Sequence, residues 1–404
     1  MNKVIYSLGA SVFSKLIILL INIISFRYIL PDEYGFIALV LALTATIGAV
    51  SNMGASVAVN SFVAKNKNTN LSKLYVKYNY ILSTFLSLFL STLIFFLSVD
   101  RQGSIVDLGV YLFLLLFTLF SAYNSISEAV LNGMKGFDKI FKNNLINFFI
   151  FLPVSIFFIY QFSVLGVFLS LILYRFSLFV FNFYSAKKIL SIQATKISKA
   201  DLSIIKSSFR NLTFPVIFSG ILVAPVIGFS FKLMSSQQDG YENLAYFNII
   251  YQMYLVAVFI PNALNGYLIS KFSSENGEKD FSKIAKYNIG FSIIVAVMLF
   301  LFKDLYFYII DSKNDVIINN FYIMLLTIIF FSVNAIFASL WPSVNRAWFG
   351  MWMNLIWAVT LLSVTYILSS QNVAESLAWA FLASYLVLTI IQFLFYKGVS
   401  NEKI

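Results

Sequence analysis

Four charged side chains inside long apolar runs are the residues of this sequence best placed to do chemistry. Lys15 and Arg27 lie in the first run, Glu128 in the fourth and Arg175 in the sixth. Charges within membrane-spanning segments are costly and commonly mark a substrate path. A cavity lined by Lys and Arg favours an anion, and Arg can hold a phosphate through two parallel hydrogen bonds. These residues therefore predict a site for an anionic ligand.

Three of the four charges also have a structural interpretation. Arg27 precedes Pro31 by one turn and can reach the outer interface, while Lys15 can reach the inner one. Glu128 lies near the cytoplasmic end of its span, where its structural role would be to neutralise Lys15 or Arg175. Arg175 lies about 15 Å from either surface at a rise of 1.5 Å per residue, which favours a role in a cavity. If Lys15, Arg175 and Glu128 share that cavity, its net charge is positive.

Amide side chains are the second group of candidate ligands. Asn22 shares a helical stripe with Lys15, and Asn248 and Gln252 share one face of the eighth run. Amides can bind sugar hydroxyl groups, but they also join helices to one another inside a membrane. Both roles stay open for each of these residues.

The absence of two residue types excludes several chemistries. The 404 residues contain neither Cys nor His, which excludes a Ser–His triad, a thiol nucleophile and conventional zinc or haem ligation. No metal site and no cofactor are expected. Hydrophobic residues make up 60% of the chain and charged residues 11%, whereas soluble chains carry about 25% charged residues. The composition indicates an all-α integral membrane protein.

Twelve apolar runs are long enough to cross a bilayer, which takes about 20 residues. The predicted spans are 8–30, 35–59, 80–99, 108–131, 145–160, 164–184, 212–233, 243–269, 287–310, 316–340, 347–369 and 376–396.

The distribution of basic residues between the loops predicts the orientation. With the N-terminus inside, the cytoplasmic segments hold 21 of the 28 Lys and Arg residues and the outer loops hold 4. This asymmetry is the positive-inside pattern and places both termini in the cytoplasm. Because topology explains these cations, the net charge of +11 does not indicate a nucleic-acid partner.

Spans 1–6 align with spans 7–12 when the sequence is shifted by about 206 residues. Six spans are an even number, so both halves enter the membrane from the same side as parallel repeats. The predicted organisation is an N-terminal lobe (1–190), a cytoplasmic linker (191–210) and a C-terminal lobe (211–404). Two six-helix lobes around a central cavity are expected to work by alternating access.

Three short segments carry a family resemblance. The stretch Arg27–Leu39, with Pro-Asp-Glu-Tyr-Gly at 31–35, resembles the first turn of polysaccharide flippases. The segment Leu131–Phe137 resembles the Gly-containing turn of that family after its fourth span. Trp348–Val359 is similar to the eleventh span of O-antigen flippases. The resemblance is to the multidrug/oligosaccharidyl-lipid/polysaccharide (MOP) exporter superfamily, most closely to its Wzx-type members, and implies a MATE-like fold.

The resemblance implies a flippase for undecaprenyl-diphosphate-linked O-antigen repeat units, from the cytoplasmic to the periplasmic leaflet of the bacterial inner membrane. The cationic cavity of the family maps onto Lys15 and Arg175, with Arg27 as a further candidate. Polymerase and chain-length proteins of the same pathway are the expected protein partners. Coupling to protons or sodium is left open. The alternatives are a small-molecule or drug antiporter of the same superfamily and a membrane polysaccharide polymerase or ligase, although a non-enzymatic role is expected.

Overall fold

The computed structural model describes residues 2–52, 55–66, 70–98, 105–190, 199–213, 222–259, 277–343 and 347–401. Every regular element in these ranges is a helix. The helices are α1 (Asn2–Tyr28), α2 (Pro31–Ser51), α3 (Ala55–Lys65), α4 (Asn70–Ser98), α5 (Ile105–Gly133), α6 (Phe137–Ile189), α7 (Lys199–Ser208), α8 (Ala224–Ser235), α9 (Gly240–Ala257), α10 (Gly277–Leu301), α11 (Lys303–Ile310), α12 (Asp315–Ser343), α13 (Ala347–Ser370) and α14 (Ser376–Asn401). A π-helical turn, Phe209–Thr213, follows α7.

The predicted spans coincide with these helices wherever the structure describes them. The second span is divided between α2 and α3. Parts of the seventh and eighth spans, 214–221 and 260–269, lie outside the described residues. The ninth span is bent by 58° between α10 and α11. The sequence predicted this span as a single run because hydropathy reports apolar character and carries no information about a change in helix direction.

Helix α6 is 53 residues long and consists of two helices that reverse direction near Ser163. Ser163 has φ 47° and ψ −124°, a conformation outside the helical region. Asn147 Nδ2 donates to the Tyr174 carbonyl oxygen at 3.2 Å, and a Cβ on Gly166 would lie 2.0 Å from the Phe158 carbonyl oxygen. In these contacts, the residue number increases in the first half of α6 as it decreases in the second half. The two halves are therefore antiparallel, as expected for spans five and six.

Seven of the described helices are long and apolar enough to cross a membrane, or eight if the bent pair α10–α11 is one span. The seven are α2, α4, α5, α6, α12, α13 and α14. Large apolar side chains cover their outer faces, and on α4 the exposed fractions of Phe85 and Leu97 are 63% and 74%. Such surfaces are unfavourable in water and favourable against lipid. The protein is a multi-pass membrane protein.

The contacts divide the chain into two compact units. Unit 1 comprises Met1–Ile29 and Leu39–Gly228, and unit 2 comprises Leu30–Ala38 and Phe229–Ile404. In unit 1, α5 packs on α6, while α1 packs on α6 and both α3 and α4 pack on α5. In unit 2, α14 packs on α12 and α13, and α12 also contacts α9 and α10. The predicted lobes are defined by the order of the spans along the chain, whereas the two units are defined by contacts. The predicted boundaries at 190 and 211 therefore stay a prediction.

Candidate functional site

Arg175 lies on the second half of α6, inside unit 1, and its side chain is half-buried. Its guanidinium carbon lies 5.3 Å from the centre of the Phe117 ring and 5.5 Å from that of Tyr174. Its Nε atom is buried and has no hydrogen-bond partner in the described parts of the chain. A guanidinium flanked by aromatic rings is partly stabilised by their π electrons, but its donors still require acceptors.

Lys15 and Glu128 lie close enough to Arg175 for their charges to interact. The Lys15 ammonium on α1 and the Arg175 guanidinium repel each other, while Glu128 on α5 attracts Arg175. The Lys15 side chain is exposed and forms no ion pair within the described ranges. Lys15 and Glu128 thus both lie within electrostatic range of Arg175 in unit 1. This cation cluster (Lys15, Glu128 and Arg175) contains two positive groups and one negative group.

A chain of amides holds the carboxylate of this cluster in place. Asn124 Nδ2 donates to Glu128 Oε2 at 3.4 Å, and Asn182 Nδ2 donates to Asn124 Oδ1 at 2.8 Å. Asn143 Nδ2 donates to Asn182 Oδ1 at 2.8 Å and also to Ser185 Oγ at 3.1 Å. Asn124 and Asn182 are buried. The chain of amides connects α5 to both halves of α6 and fixes the position of Glu128.

The other two candidates on α1 lie apart from the cation cluster. Arg27 is exposed in the last turn of α1, about 18 Å along the helix from Lys15. Asn22 is buried, and its Nδ2 donates to the Ile18 carbonyl oxygen at 2.8 Å, within its own helix. Neither geometry brings the side chain beside Arg175, and a site role for Arg27 and Asn22 stays a prediction.

Asn248 and Gln252 belong to unit 2, and Asn248 contacts the first turn of α2. Asn248 Nδ2 donates to the Tyr34 hydroxyl oxygen at 2.9 Å, and Gln252 Nε2 donates to Asn248 Oδ1 at 3.2 Å. Tyr34 is fully buried and belongs to the Pro31–Gly35 motif. The first of these bonds joins α9 to the start of α2 and the second lies within α9, so the amides have a structural role within unit 2. Their predicted role in substrate binding stays a prediction.

Comparison with known proteins gives the fold. No protein-family model and no curated protein sequence matches the chain. An inward-facing multidrug resistance MATE transporter of the MOP superfamily matches with a TM-score of 0.75 at 15% identity, over 96% of this chain and 95% of that one. The lipid II flippase MurJ in an inward closed conformation matches with a TM-score of 0.74 at 13% identity, over 97% and 87%.

A MOP superfamily transporter from Pyrococcus furiosus also matches, with a TM-score of 0.67 at 14% identity, over 99% of this chain and 95% of that one. The fold of this chain agrees with three such structures over nearly its whole length, and a single architecture accounts for all three matches. The chain has the MOP fold. The expected all-α class of about twelve membrane helices is therefore confirmed.

Within this MOP fold, sequence reasoning did not identify Asn143, Phe117 or Tyr174 as neighbours of the predicted site. Phe and Tyr are frequent throughout the sequence, so the pattern contains no signal that distinguishes these two rings. Asn143 and Asn182 are separated by 39 residues and meet only because α6 reverses direction. Asn143 is a polar residue just before the fifth predicted span, and this position was the one signal in the sequence. The sequence predicts no partner for it.

Replacing Asn182 with leucine is expected to destabilise unit 1 by about 1–2 kcal/mol, because the buried Asn124 carbonyl oxygen would lose its donor and the Asn143 amide one of its two acceptors. Thermal unfolding of the purified protein measures this effect. Asn320→Leu is the matched control. Asn320 is fully buried, and neither of its amide atoms has a partner in the part of the chain that the structure describes. That substitution should be neutral or stabilising, and an equal loss of stability in both variants would contradict a structural role for the amide chain.

Proposed function

We propose that this MOP-fold protein is a flippase that moves undecaprenyl-diphosphate-linked O-antigen repeat units from the cytoplasmic to the periplasmic leaflet of the bacterial inner membrane. The observation that carries the proposal is the cation cluster, in which Arg175 retains an unpartnered Nε. One of the similar structures is that of a lipid II flippase. Alternating access by the two lobes, with both termini in the cytoplasm, is part of the same proposal.

The charge of the cation cluster favours a phosphate-bearing substrate. Keeping two cations beside one carboxylate within membrane-spanning helices costs free energy unless an anion completes the site. A diphosphate supplies several acceptor oxygens, and the guanidinium group of Arg175 can hold two of them through parallel hydrogen bonds. Lys15 would supply a further point charge. Glu128, fixed by Asn124, limits the net charge so that the diphosphate can also be released.

The rest of the substrate requires apolar and polar surfaces that the chain also offers. The prenyl chain would remain in the bilayer, because it is as apolar as the lipid tails. The sugars would bind amides and aromatic faces, for which Gln252 and the exposed Trp352 are the candidates in unit 2. The proposal requires no cofactor and no bond cleavage, since the protein only changes the leaflet in which the substrate resides.

Binding of the bare carrier tests the proposal without knowledge of the sugar. Undecaprenyl diphosphate at about 100 times its Kd should stabilise the purified protein by roughly 2.7 kcal/mol. Uncharged undecaprenol should not do so, and Arg175→Gln should remove most of the effect. Arg210→Gln removes an exposed cation from the same unit and is the matched control. Equal stabilisation by undecaprenol, or a full response in Arg175→Gln, would contradict the proposal.

A drug antiporter is the second candidate, and the presence of MATE transporters among the structural matches favours it. In that case Glu128 would be the carboxylate that couples transport to a cation gradient. A cationic drug would, however, be repelled by Lys15 and Arg175 in the same cluster. Gradient-driven efflux of a cationic dye from membrane vesicles, lost in Glu128→Gln and retained in Arg175→Gln, would support the antiporter and contradict the flippase.

A further inference from the structure

A groove on the surface of unit 1 lies outside the cation cluster. It is bounded by α4, by the end of α5 and by the last turns of α6, and its volume is about 470 Å³. Its floor consists of residues of the unit 1 core, which are Val76, Val130, Ala186 and Leu190. Because these side chains are buried and packed, the groove is a feature of the folded helices rather than of mobile surface residues.

The deep end of the groove is apolar. Tyr80 and Phe183 face each other from α4 and α6 with ring centres 6.2 Å apart, and Ile81 lies beside them. The Tyr80 hydroxyl group is hydrogen-bonded to Ser127 Oγ at 2.7 Å, so the polar atom of this side chain already has a partner. An apolar groove on a membrane-facing surface does not stay empty, because its walls would lose their dispersion contacts. Hydrocarbon is the natural filling.

The other end of the groove carries three lysines. Lys73 and Lys77 lie one turn apart near the start of α4, and Lys187 lies two residues before the end of α6. The described lining includes no acidic residue. Lys77 and Lys187 are exposed and form no hydrogen bond or ion pair within the described ranges. Since α4 begins where α6 ends, this positive charge is concentrated at one end of the groove.

We propose that this groove binds an anionic glycerophospholipid. The phosphate would lie among Lys73, Lys77 and Lys187, and one acyl chain would lie along Val76, Ile81 and Phe183. Basic pockets between membrane helices on the cytoplasmic side are suited to anionic headgroups, and the orientation predicted from the loops places these lysines on that side. The lipid is a resident of the leaflet rather than cargo, so this proposal is independent of the flippase proposal.

Charge complementarity favours this occupant over a neutral lipid. A zwitterionic headgroup carries no net charge and would gain less Coulomb energy from three lysines, whereas each lysine near a phosphate strengthens the binding of an anionic lipid about fivefold. Loss of both Lys77 and Lys187 should therefore weaken binding about 25-fold.

Native mass spectrometry of the full chain tests the site, with phosphatidylglycerol and phosphatidylcholine of identical acyl chains added at equal concentration. The wild-type protein should retain phosphatidylglycerol in preference to phosphatidylcholine. Lys77→Gln with Lys187→Gln should lose that preference. Lys139→Gln with Lys142→Gln removes the same charge from the first turns of α6, outside the groove, and should retain it. Ile81→Trp fills the groove, leaves the charge unchanged and should also reduce the retention of phosphatidylglycerol. This variant is the second test of the site if the lysine variant does not fold.

Three results would overturn the proposal. The first is equal retention of the two lipids by the wild-type protein, and the second is an equal loss in the control pair of lysines. The third is displacement of phosphatidylglycerol from the wild-type protein by an equal concentration of undecaprenyl phosphate, since the groove would then belong to the carrier lipid.

Discussion

Under the flippase proposal, Arg175→Ala is expected to reduce delivery of lipid-linked repeat units to the outer leaflet by about 10- to 150-fold. In that proposal, the lost interaction is a charge-assisted hydrogen bond to the phosphate of the substrate in a site of low dielectric, worth about 1.5–3 kcal/mol. Lys15 would remain as the only cation of the cluster, and Glu128 would then cancel its charge. Arg175→Lys should recover part of the activity, because it restores the charge without the two-pronged geometry.

Surface polysaccharide in cells that carry each variant as their only copy of the gene measures this effect, with the amount of protein in the membrane determined in parallel. Arg210→Ala is the control, since it removes an exposed cation from the same unit. Wild-type levels of surface polysaccharide in Arg175→Ala cells would show that the guanidinium does not hold the substrate. A matching loss in Arg210→Ala would mean that the effect reflects net charge rather than the site.

Gly35→Ala is expected to destabilise unit 2 by about 3 kcal/mol, the upper end of the cost of an overpacked contact. A Cβ at residue 35 would lie 1.7 Å from the Tyr241 carbonyl oxygen, a backbone atom that no change of rotamer can displace. The start of α2 would have to move away from α9. That movement would also break the hydrogen bond between Asn248 and the buried Tyr34 hydroxyl group.

A fall in Tm of roughly 6–12 °C in thermal unfolding would accord with this cost for a unit of this size. Gly290→Ala on α10 is the matched control, because a Cβ there meets no atom within 4 Å. Alanine is also the better helix former, so the control should be neutral or slightly stabilising. An unchanged Tm in Gly35→Ala would contradict the close approach of α2 and α9.

The membrane class, the helical architecture and the approximate spans could be predicted from the sequence. These features depend on local properties: apolar runs of sufficient length must form helices in a bilayer, since every backbone group has to be satisfied within the segment. The four embedded charges could also be found, because each interrupts an apolar run. Their partners could not be found, since hydropathy contains no information about which faces of distant helices meet.

Only the tertiary structure decided which candidates belong together. Lys15, Glu128 and Arg175 meet because α1 and α5 both pack on α6, whereas Arg27 lies too far along α1 to join them. Asn143 reaches Asn182 only through the reversal of α6 near Ser163. The Pro31–Gly35 motif, identified in the sequence by its resemblance to a family, packs on α9 because a glycine allows the two backbones to touch. Composition and periodicity determine what each segment is, and long-range packing determines which side chains share a site.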